Sequence, residues 1–510
     1  MPRRSTAQPP PPLPAGAPAS SLGVLQVVKM TLDRDPNLAI VEARLAGSRG
    51  AFLAASGKFD AVLSHQVASS DAKLPLVPEG SFERKTIESD LGLTELFRTG
   101  LSIQPAISLL RSADPTSAPG TVNTGTVTVA LRQPLLRGRG RDATAVAAER
   151  AAEREVTASG LDLCFTTTQR VQAVVSQYWT LAGAQANLGI LRSSEAASHD
   201  LLETTRKLIE ADVTPAAEQV QLEADVAAKE AARIGGELAL FQARQELGRQ
   251  VGLEAAEIAS LPPAADPFPE LAAGALRPPV DARPFLATAL TRRTDLRAAR
   301  VRLEEAAIQE SAATNSLQPQ LDLLLTPSYT GLVEGVGVER FLSPLYRNVP
   351  GAGVALALAL SWPTRNRIAL GGLEQVLAAR RQAALAVDLL VKEIGANVPA
   401  ALEAVVRDAA QLARAAAAVR LFERAVENEQ KKLGAGTSTL IDVITQSDRL
   451  TGARQSEVSA HLALASALLT LRFETGTLMA SAGDFASLGY DNLTTPPPAE
   501  EPPPAEEPPP

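Results

Sequence analysis

The chain of 510 residues is poor in several things that globular enzymes rely on. It holds one cysteine, Cys164, and three histidines. A single cysteine excludes an intrachain disulfide framework and any cysteine-based zinc cluster. Aromatic residues make up only 4% of the chain, which argues against the roughly three ordinary domains that about 150 residues per domain would allow. Positive charge does not dominate. Lys and Arg number 49 against 57 Asp and Glu, a net charge of −8, with a pI near 5.3, so nothing points to nucleic acid as a partner. Long apolar runs are also missing. The longest, residues 351–362, falls far short of the ~20 residues a membrane-spanning helix needs. Leu, Ile, Val and Ala are nevertheless abundant, with 45% of residues hydrophobic, which excludes disorder throughout.

The two ends differ from the body. Residues 1–20, MPRRSTAQPPPPLPAGAPAS, carry two early arginines but no apolar core of about 7–15 residues, so no signal peptide is recognisable. No cysteine stands near the start for lipid attachment. Taken literally this favours the cytoplasm; a misassigned or shortened start is the competing explanation. Residues 481–510 end in PPPAEEPPPAEEPPP and are expected to be a disordered, extended tail.

The body divides at a Pro-rich linker, residues 261–284, into halves 21–260 and 285–480 that echo one another. Each half begins with a helical run of about 30 residues (22–57 and 285–315), in which NLAIVEARL at 37–45 aligns with DLRAARVRL at 295–303. Alternating segments follow. Phe59, Ala61, Leu63 and Val67 oppose Asp60, Ser64 and Gln66; Leu321, Leu323, Leu325 and Tyr329 oppose Asp322, Thr326 and Ser328. A period of two predicts strands with two different environments. Return strands come next. Val127, Val129 and Leu131 alternate with Thr126, Thr128 and Arg132, and Val354, Leu356, Leu358, Leu360 and Trp362 alternate with alanines and Ser361. The last run has the length that a tilted strand needs to cross a bilayer, although a half-buried soluble strand shows the same pattern. The hairpins are expected at about 59–133 and 320–362, four strands in all. The first is longer by about 30 residues and contains a further strand-like stretch, 99–110, either extra strand or external loop.

Both return strands end in proline and a basic segment, QPLLRGRGR at 133–141 and WPTRNR at 362–367. Pro134 and Pro363 are expected to end the strands and turn the chain into a helix. Long helices are predicted over about 141–211 and 367–433, each on the order of 100 Å at ~1.5 Å per residue. Val171, Val174, Val175, Tyr178 and Leu181 form a seam in the first, as do Val387, Leu390, Val391, Ile394, Val398 and Leu402 in the second. Gly395 and Pro399 predict a kink or local loosening. The chain then reverses, at Ala211-Asp212-Val213-Thr214 and at 434–438, into return helices over 215–252 and 440–475. Thr214 and Thr439 read as N-caps, Pro215 sits at the favoured first helical position, and Thr439 to Asp442 is a capping-box pattern.

Such helices cannot bury their apolar stripes in one globular domain, and four strands cannot close a barrel when the smallest need about eight. Both deficits predict an oligomer that pools its strands and helices.

At this point the sequence resembles the TolC-like outer-membrane efflux proteins. The resemblance covers about residues 21–480. It is carried by QPLLRGRGR at the strand-to-helix junction, VQAVVSQYWTL at 171–181, and KKLGAGTSTLIDVITQSDRL at 431–450. It implies a mainly α fold with a membrane β-barrel portion: a homotrimer with a twelve-stranded β-barrel in outer-membrane lipid, a long α-helical barrel in the periplasm, and an internal twofold repeat. It implies a passive exit duct for efflux or type I secretion, without cofactor, docked through a periplasmic adaptor onto an inner-membrane transporter. Asp442 then matches an acidic pore-constriction position, where like charges around a narrow opening favour cations; as a plain helix cap it needs no such role. The family's second acidic residue falls at Thr445, and its gating arginine and tyrosine at Ser438 and Leu433, which puts a tightly latched gate in doubt. The tips Ala211, Asp212, Val213 and Thr214 and Gly434, Ala435, Gly436 and Thr437 match adaptor-docking tips, the first less well. A tight turn explains the glycines equally. Trp362 fits an interfacial aromatic belt or simple packing.

An enzymatic reading fails by inventory. His65, His199 and His461 stand isolated in the sequence, without HExxH or a His/Cys cluster. The glycines of RGRG and EGVG lack the phosphate-loop lysine and Rossmann spacing. The rival from another class is a soluble long-helix coiled-coil scaffold, which would need neither the alternating strands nor the duplicated order.

Overall fold

The computed structural model describes residues 21–75, 80–113, 120–210, 217–271, 280–346, 351–479 and 488–498. Two compact units are present: residues 1–42, 161–297 and 389–510 in one, and 43–160 with 298–388 in the other. Each draws on both halves of the sequence.

The helices follow the predicted order, with a difference at their start. Each opening run is two helices: α1 Val24–Arg34 and α2 Pro36–Ser56 in the first half, α6 Arg283–Arg292 and α7 Thr294–Asn315 in the second. Pro36 causes the first break, because the residue before a proline is pushed to extended backbone. Asp35 adopts that conformation and its carboxylate accepts the Asn37 N–H at 2.9 Å. Arg293 is extended at the matching place. The long helices are α3 Thr144–Glu210 and α9 Arg367–Gly434; α4 Ala217–Val251, the short α5 Ala255–Ala259, and α10 Leu440–Glu474 complete the set. Pro399 lies inside α9, which runs through it without interruption.

Burial confirms the first seam residue by residue. Val171, Val174, Val175 and Tyr178 are fully buried in a cluster with Val24, Val28, Leu247 and Leu469. In α9 only Ile394, Val398 and Leu402 of the second seam are buried. Other apolar side chains stay uncovered: Ile234, Leu238 and Phe241 mark one stripe of α4, and Leu385 and Leu389 are over half exposed on α9. Of the segment 481–510 expected to be a disordered tail, residues 488–498 are described and the rest lies outside the described residues. Within 488–498 a short helix, α11 Asp491–Thr494, buries Leu493. Arg472 donates to the carbonyls of Asp491, Thr495 and Pro496.

The strands depart furthest from expectation. Six, not four, are present among the described residues: β1 Val62–Pro75, β2 Ser81–Leu96, β3 Ser102–Ala113, β4 Thr121–Pro134, β5 Gln320–Glu334 and β6 Ala352–Ser361. They form one antiparallel meander in the order β1-β2-β3-β4-β5-β6. The longer first hairpin is therefore four strands, and the chain carries six strands in this sheet where four were expected. β2 hides in the sequence because Glu83, Arg84, Lys85, Glu88 and Asp90 mask its alternation. A short helix, α8 Val338–Leu342, and a 3₁₀ turn, Ser343–Leu345, lie between β5 and β6.

Directly paired residues share a face of a sheet, so register fixes both faces. Leu91 pairs with Ile107, Ile107 with Val127, and Val127 with Tyr329; Ile103 pairs with Leu131, Leu131 with Leu325, and Leu325 with Leu356. These rows make one apolar face. On the other, Gln66 pairs with Asp90, Asp90 with Ser108, Ser108 with Thr126, and Thr126 with Thr330. Over β3 to β6 the first face is mainly apolar and the second mainly polar; on β1 and β2 the first face also carries His65, which pairs with Leu91, and the charged group Asp71, Lys73, Glu83 and Lys85.

Candidate functional site

The second helix reversal is built by its own residues. The last turn of α9 closes with Gly436 N–H on the Leu433 carbonyl and Thr437 N–H on the Lys432 carbonyl, both at 2.9 Å. This C-terminal motif needs one left-handed residue, which Gly436 supplies at φ +72°. Thr439 then caps α10, and a capping box joins it to Asp442. Beneath the turn, Leu202, Leu222, Val226 and Leu440 pack together, with Leu433 half-buried against them. Gly434, Ala435, Gly436 and Thr437 are exposed beyond that anchor. The first tip, Ala211, Asp212, Val213 and Thr214, lies outside the described residues, as does Pro215.

Asp442 is exposed, and its carboxylate accepts the Thr439 hydroxyl at 2.6 Å, the Thr439 N–H at 3.2 Å and the Ser438 hydroxyl at 3.5 Å. The Thr439 hydroxyl, then its N–H, hold the carboxyl below its ordinary value, with Ser438 and the nearby Lys432 charge adding to the effect. Glu429 is held low in the same way, first by the Ser438 hydroxyl and then by Lys432 at 3.0 Å. The tip thus carries two carboxylates fixed in the charged form. Ser438 serves both of them, Thr445 bonds back to the Ile441 carbonyl, and Leu433 packs in the anchor.

At the sheet, Pro134 is the last residue of β4, and the Leu135 N–H still reaches the Leu321 carbonyl at 2.7 Å. Arg132 holds the largely buried Asp322 carboxylate on the polar face at 2.7 Å. Pro363 is exposed in the short connection between β6 and α9, and Trp362 beside it is 70% exposed.

Two arrangements were not legible in the sequence. Gly125 and Gly331 are cross-strand partners, and the 3₁₀ turn seats on them; a Cβ on Gly331 would stand 2.0 Å from the Pro344 carbonyl oxygen. Arg111 secures the same segment, lying 5.1 Å over the Phe341 ring and donating to Asn123 at 2.7 Å. His199, isolated in the sequence, meets Glu195 and Glu230 on the neighbouring helix turn and on α4. The spacing of Glu195 and His199, one helical turn apart, was its only signal. Arg233 already neutralises Glu195 at 2.7 Å, so the group is an interhelical salt-bridge cluster. His65 bonds Ser89, and His461 stacks on Phe268 at 5.5 Å.

No protein-family model and no curated protein matches the sequence. Solved structures do match the fold. The outer-membrane channel OprN is similar over 89% of this chain and 90% of that one, at 17% identity and a TM-score of 0.67. The outer membrane protein VceC from Vibrio cholerae is similar over 89% and 96%, at 18% identity and 0.64. The Campylobacter jejuni CmeC outer membrane channel is similar over 92% and 89%, at 12% identity and 0.66. At these identities the likeness is one of fold: helices and an antiparallel sheet arranged as in outer-membrane channels.

Proposed function

We propose that the protein is a subunit of a passive outer-membrane export channel of the TolC-like kind, in which three copies pool their strands into a barrel and their helices into a periplasmic tunnel. The observation that carries this reading is the sheet. A soluble sheet that was apolar on one side would cover that side with its own core, yet Val354, Leu356, Leu358 and Leu360 are each more than 60% exposed. Lipid outside and water inside would suit the two faces. No helix among the described residues is long and apolar enough to cross a membrane, so the strands are the membrane-crossing candidates. The uncovered stripes of α4 and α9 supply surface for neighbouring helices, as a tunnel requires.

In this reading Asp442 lies at the constriction, the exposed tips dock a periplasmic adaptor, and an inner-membrane transporter drives transport. The protein itself contributes no catalysis and carries no cofactor. Its chemistry is the field of fixed carboxylates at a narrow opening. The soluble coiled-coil scaffold leaves the two-sided sheet without a purpose.

Fractionation of a Gram-negative host producing the full chain tests this directly. Recovery in the outer membrane as a detergent-extracted trimer that conducts ions in planar bilayers is expected. Recovery as a soluble monomer or dimer overturns the reading.

A further inference from the structure

We infer that residues 336–346, between β5 and β6, are an interfacial anchor: the segment folds down on the apolar face of the sheet and lays Val338, Leu342 and Tyr346 against the outer leaflet of the lipid. The inference rests on the proposed membrane wall for the presence of lipid, but the placement of the segment stands on the fold of the sheet itself.

The strands fix which end and which face it occupies. β1 and β5 are entered from α2 and α7, and β4 and β6 leave into α3 and α9. The link between β5 and β6 is therefore at the opposite end, which in a channel with periplasmic helices is the cell-surface end. Gly125 pairs with Leu109 and with Gly331, and these three lie two residues from Val127, Ile107 and Tyr329. Two residues return a strand to the same face. The glycine seat thus opens on the apolar face, not on the polar one that would line a lumen. A Cβ at Gly125 would stand 2.9 Å from the Pro344 side chain and 3.3 Å from that of Leu345. The segment is seated on the outside of the wall, not over the bore.

One row further towards that end, the same face turns polar. Arg111 pairs with Asn123, and Asn123 with Val333. Asn123 is fully buried, and its amide donates to the Val333 carbonyl at 3.0 Å and the Gly335 carbonyl at 2.8 Å. Arg111 donates to the Asn123 side chain and to the Gly337 carbonyl. A guanidinium facing hydrocarbon is costly unless it is paired, and these bonds pair it. The row marks where the lipid-facing band of β3–β5 ends, and the segment covers that boundary.

A cover needed only to hide Arg111 and Asn123 would turn a polar surface outward. This one does not. Ser343 and Pro344 are buried beneath it, while Val338 is 77%, Tyr346 64% and Leu342 45% exposed. These side chains extend the apolar rows of Ile107, Val127 and Tyr329 beyond the strands, and aliphatic and aromatic groups together are what an element at a lipid–water interface presents. Glu339 and Arg340 lie exposed beside them, charges that an interface accommodates and hydrocarbon does not.

The test uses the full chain in a Cys164→Ser background, reconstituted into phosphatidylcholine–phosphatidylglycerol vesicles. An environment-sensitive fluorophore is placed in turn at Val338→Cys and Leu342→Cys. Leu358→Cys on the apolar face and Thr126→Cys on the polar face serve as references. Headgroup nitroxides should quench the 338 and 342 labels roughly twofold, more than nitroxides deep in the acyl chains do, and iodide should quench them little. The 358 label should favour the deep nitroxide and the 126 label neither. Adding Gly331→Val should open the 338 label to iodide; no effect would overturn the seat. Strong iodide quenching at 338 and 342, with the 358 label still in lipid, makes the segment an aqueous loop and overturns the anchor while leaving the channel reading intact. Shielding from iodide and nitroxides alike, the mark of a protein neighbour, overturns it too. A 358 label that meets no lipid, or a chain that does not enter vesicles, overturns the channel reading itself.

Discussion

Tyr178→Phe removes one oxygen that bonds backbone groups of Leu22, Ala265 and Asp266. The hydroxyl of Tyr178 accepts the N–H of Asp266 at 3.0 Å and that of Ala265 at 3.2 Å, and lies 2.9 Å from the Leu22 carbonyl, to which it can donate. The side chain is fully buried, and burial is the main cause that pushes its pKa up to about 12, so it stays a protonated donor. The phenylalanine ring keeps the T-shaped contact with Trp179 at 5.1 Å, which isolates the hydroxyl as the only loss. Most partners survive that loss. The Leu22 carbonyl still receives the Ala265 N–H at 3.0 Å, and the Asp266 carboxylate still receives the Val24 N–H. Only the Asp266 N–H loses its acceptor. Orphaning a buried donor costs about 1–3 kcal/mol, which corresponds to amide exchange roughly 5- to 150-fold faster at tenfold per 1.4 kcal/mol. Hydrogen exchange read by mass spectrometry on peptides covering 262–268 should show this acceleration at Asp266 and a much smaller one at Ala265. Unchanged protection at Asp266, or equal change at both amides, would refute the account of Tyr178 as the pin that ties the linker to α3.

At the tip, Asp442→Asn and Asp442→Ala should weaken cation preference in planar bilayers alike, while only the alanine variant should loosen the start of α10 in hydrogen exchange; unchanged selectivity in both would leave Asp442 as a cap alone. Because the folded state holds the Asp442 carboxyl below its ordinary value of 3.8, its cap and its charge persist above that value and are lost only as pH falls further. The helical signal of α10 in the unassembled chain should therefore hold steady from pH 7 down to about pH 4, and a loss of the cap between pH 6 and 5 would contradict this account. Gly436→Ala places a Cβ at φ +72° and should cost about 1–2 kcal/mol of local stability, visible as faster exchange at Thr437; no change would mean the left-handed turn is dispensable. Gly331→Val should unseat the 3₁₀ turn from the sheet and speed proteolysis within 338–345, whereas unchanged cleavage would show that the turn does not depend on the glycine seat.

The sequence made the helical parts legible because each rests on local signals. The Val171 to Leu181 seam and the Thr439–Asp442 box are short-range patterns, and both appear where they were read. Pro36 lies inside the run read as one helix, and the extended backbone it imposes on Asp35 splits that run in two. β2 escaped notice because Glu83, Lys85 and Ser89 share a parity with Ile87 and Leu91, so no period of two in hydrophobicity marks the strand. The pairing of β4 with β5, nearly two hundred residues apart, carried no local signal at all. The same is true of Gly125 opposite Gly331, and of His199 beside Glu230, whose contacts arise only when distant segments meet.

The most direct test of the central claim compares two neighbouring arginine substitutions on β6. Leu358 lies on the apolar face opposite Leu323, and Ala357 lies on the other face opposite Leu324. A charge facing lipid near mid-membrane costs about 2–4 kcal/mol, and one facing the lumen costs little. Leu358→Arg should lose most of its assembled protein from the outer membrane while Ala357→Arg assembles at near wild-type yield. Equal yields for the two variants, or the reverse order, would contradict a lipid-facing wall.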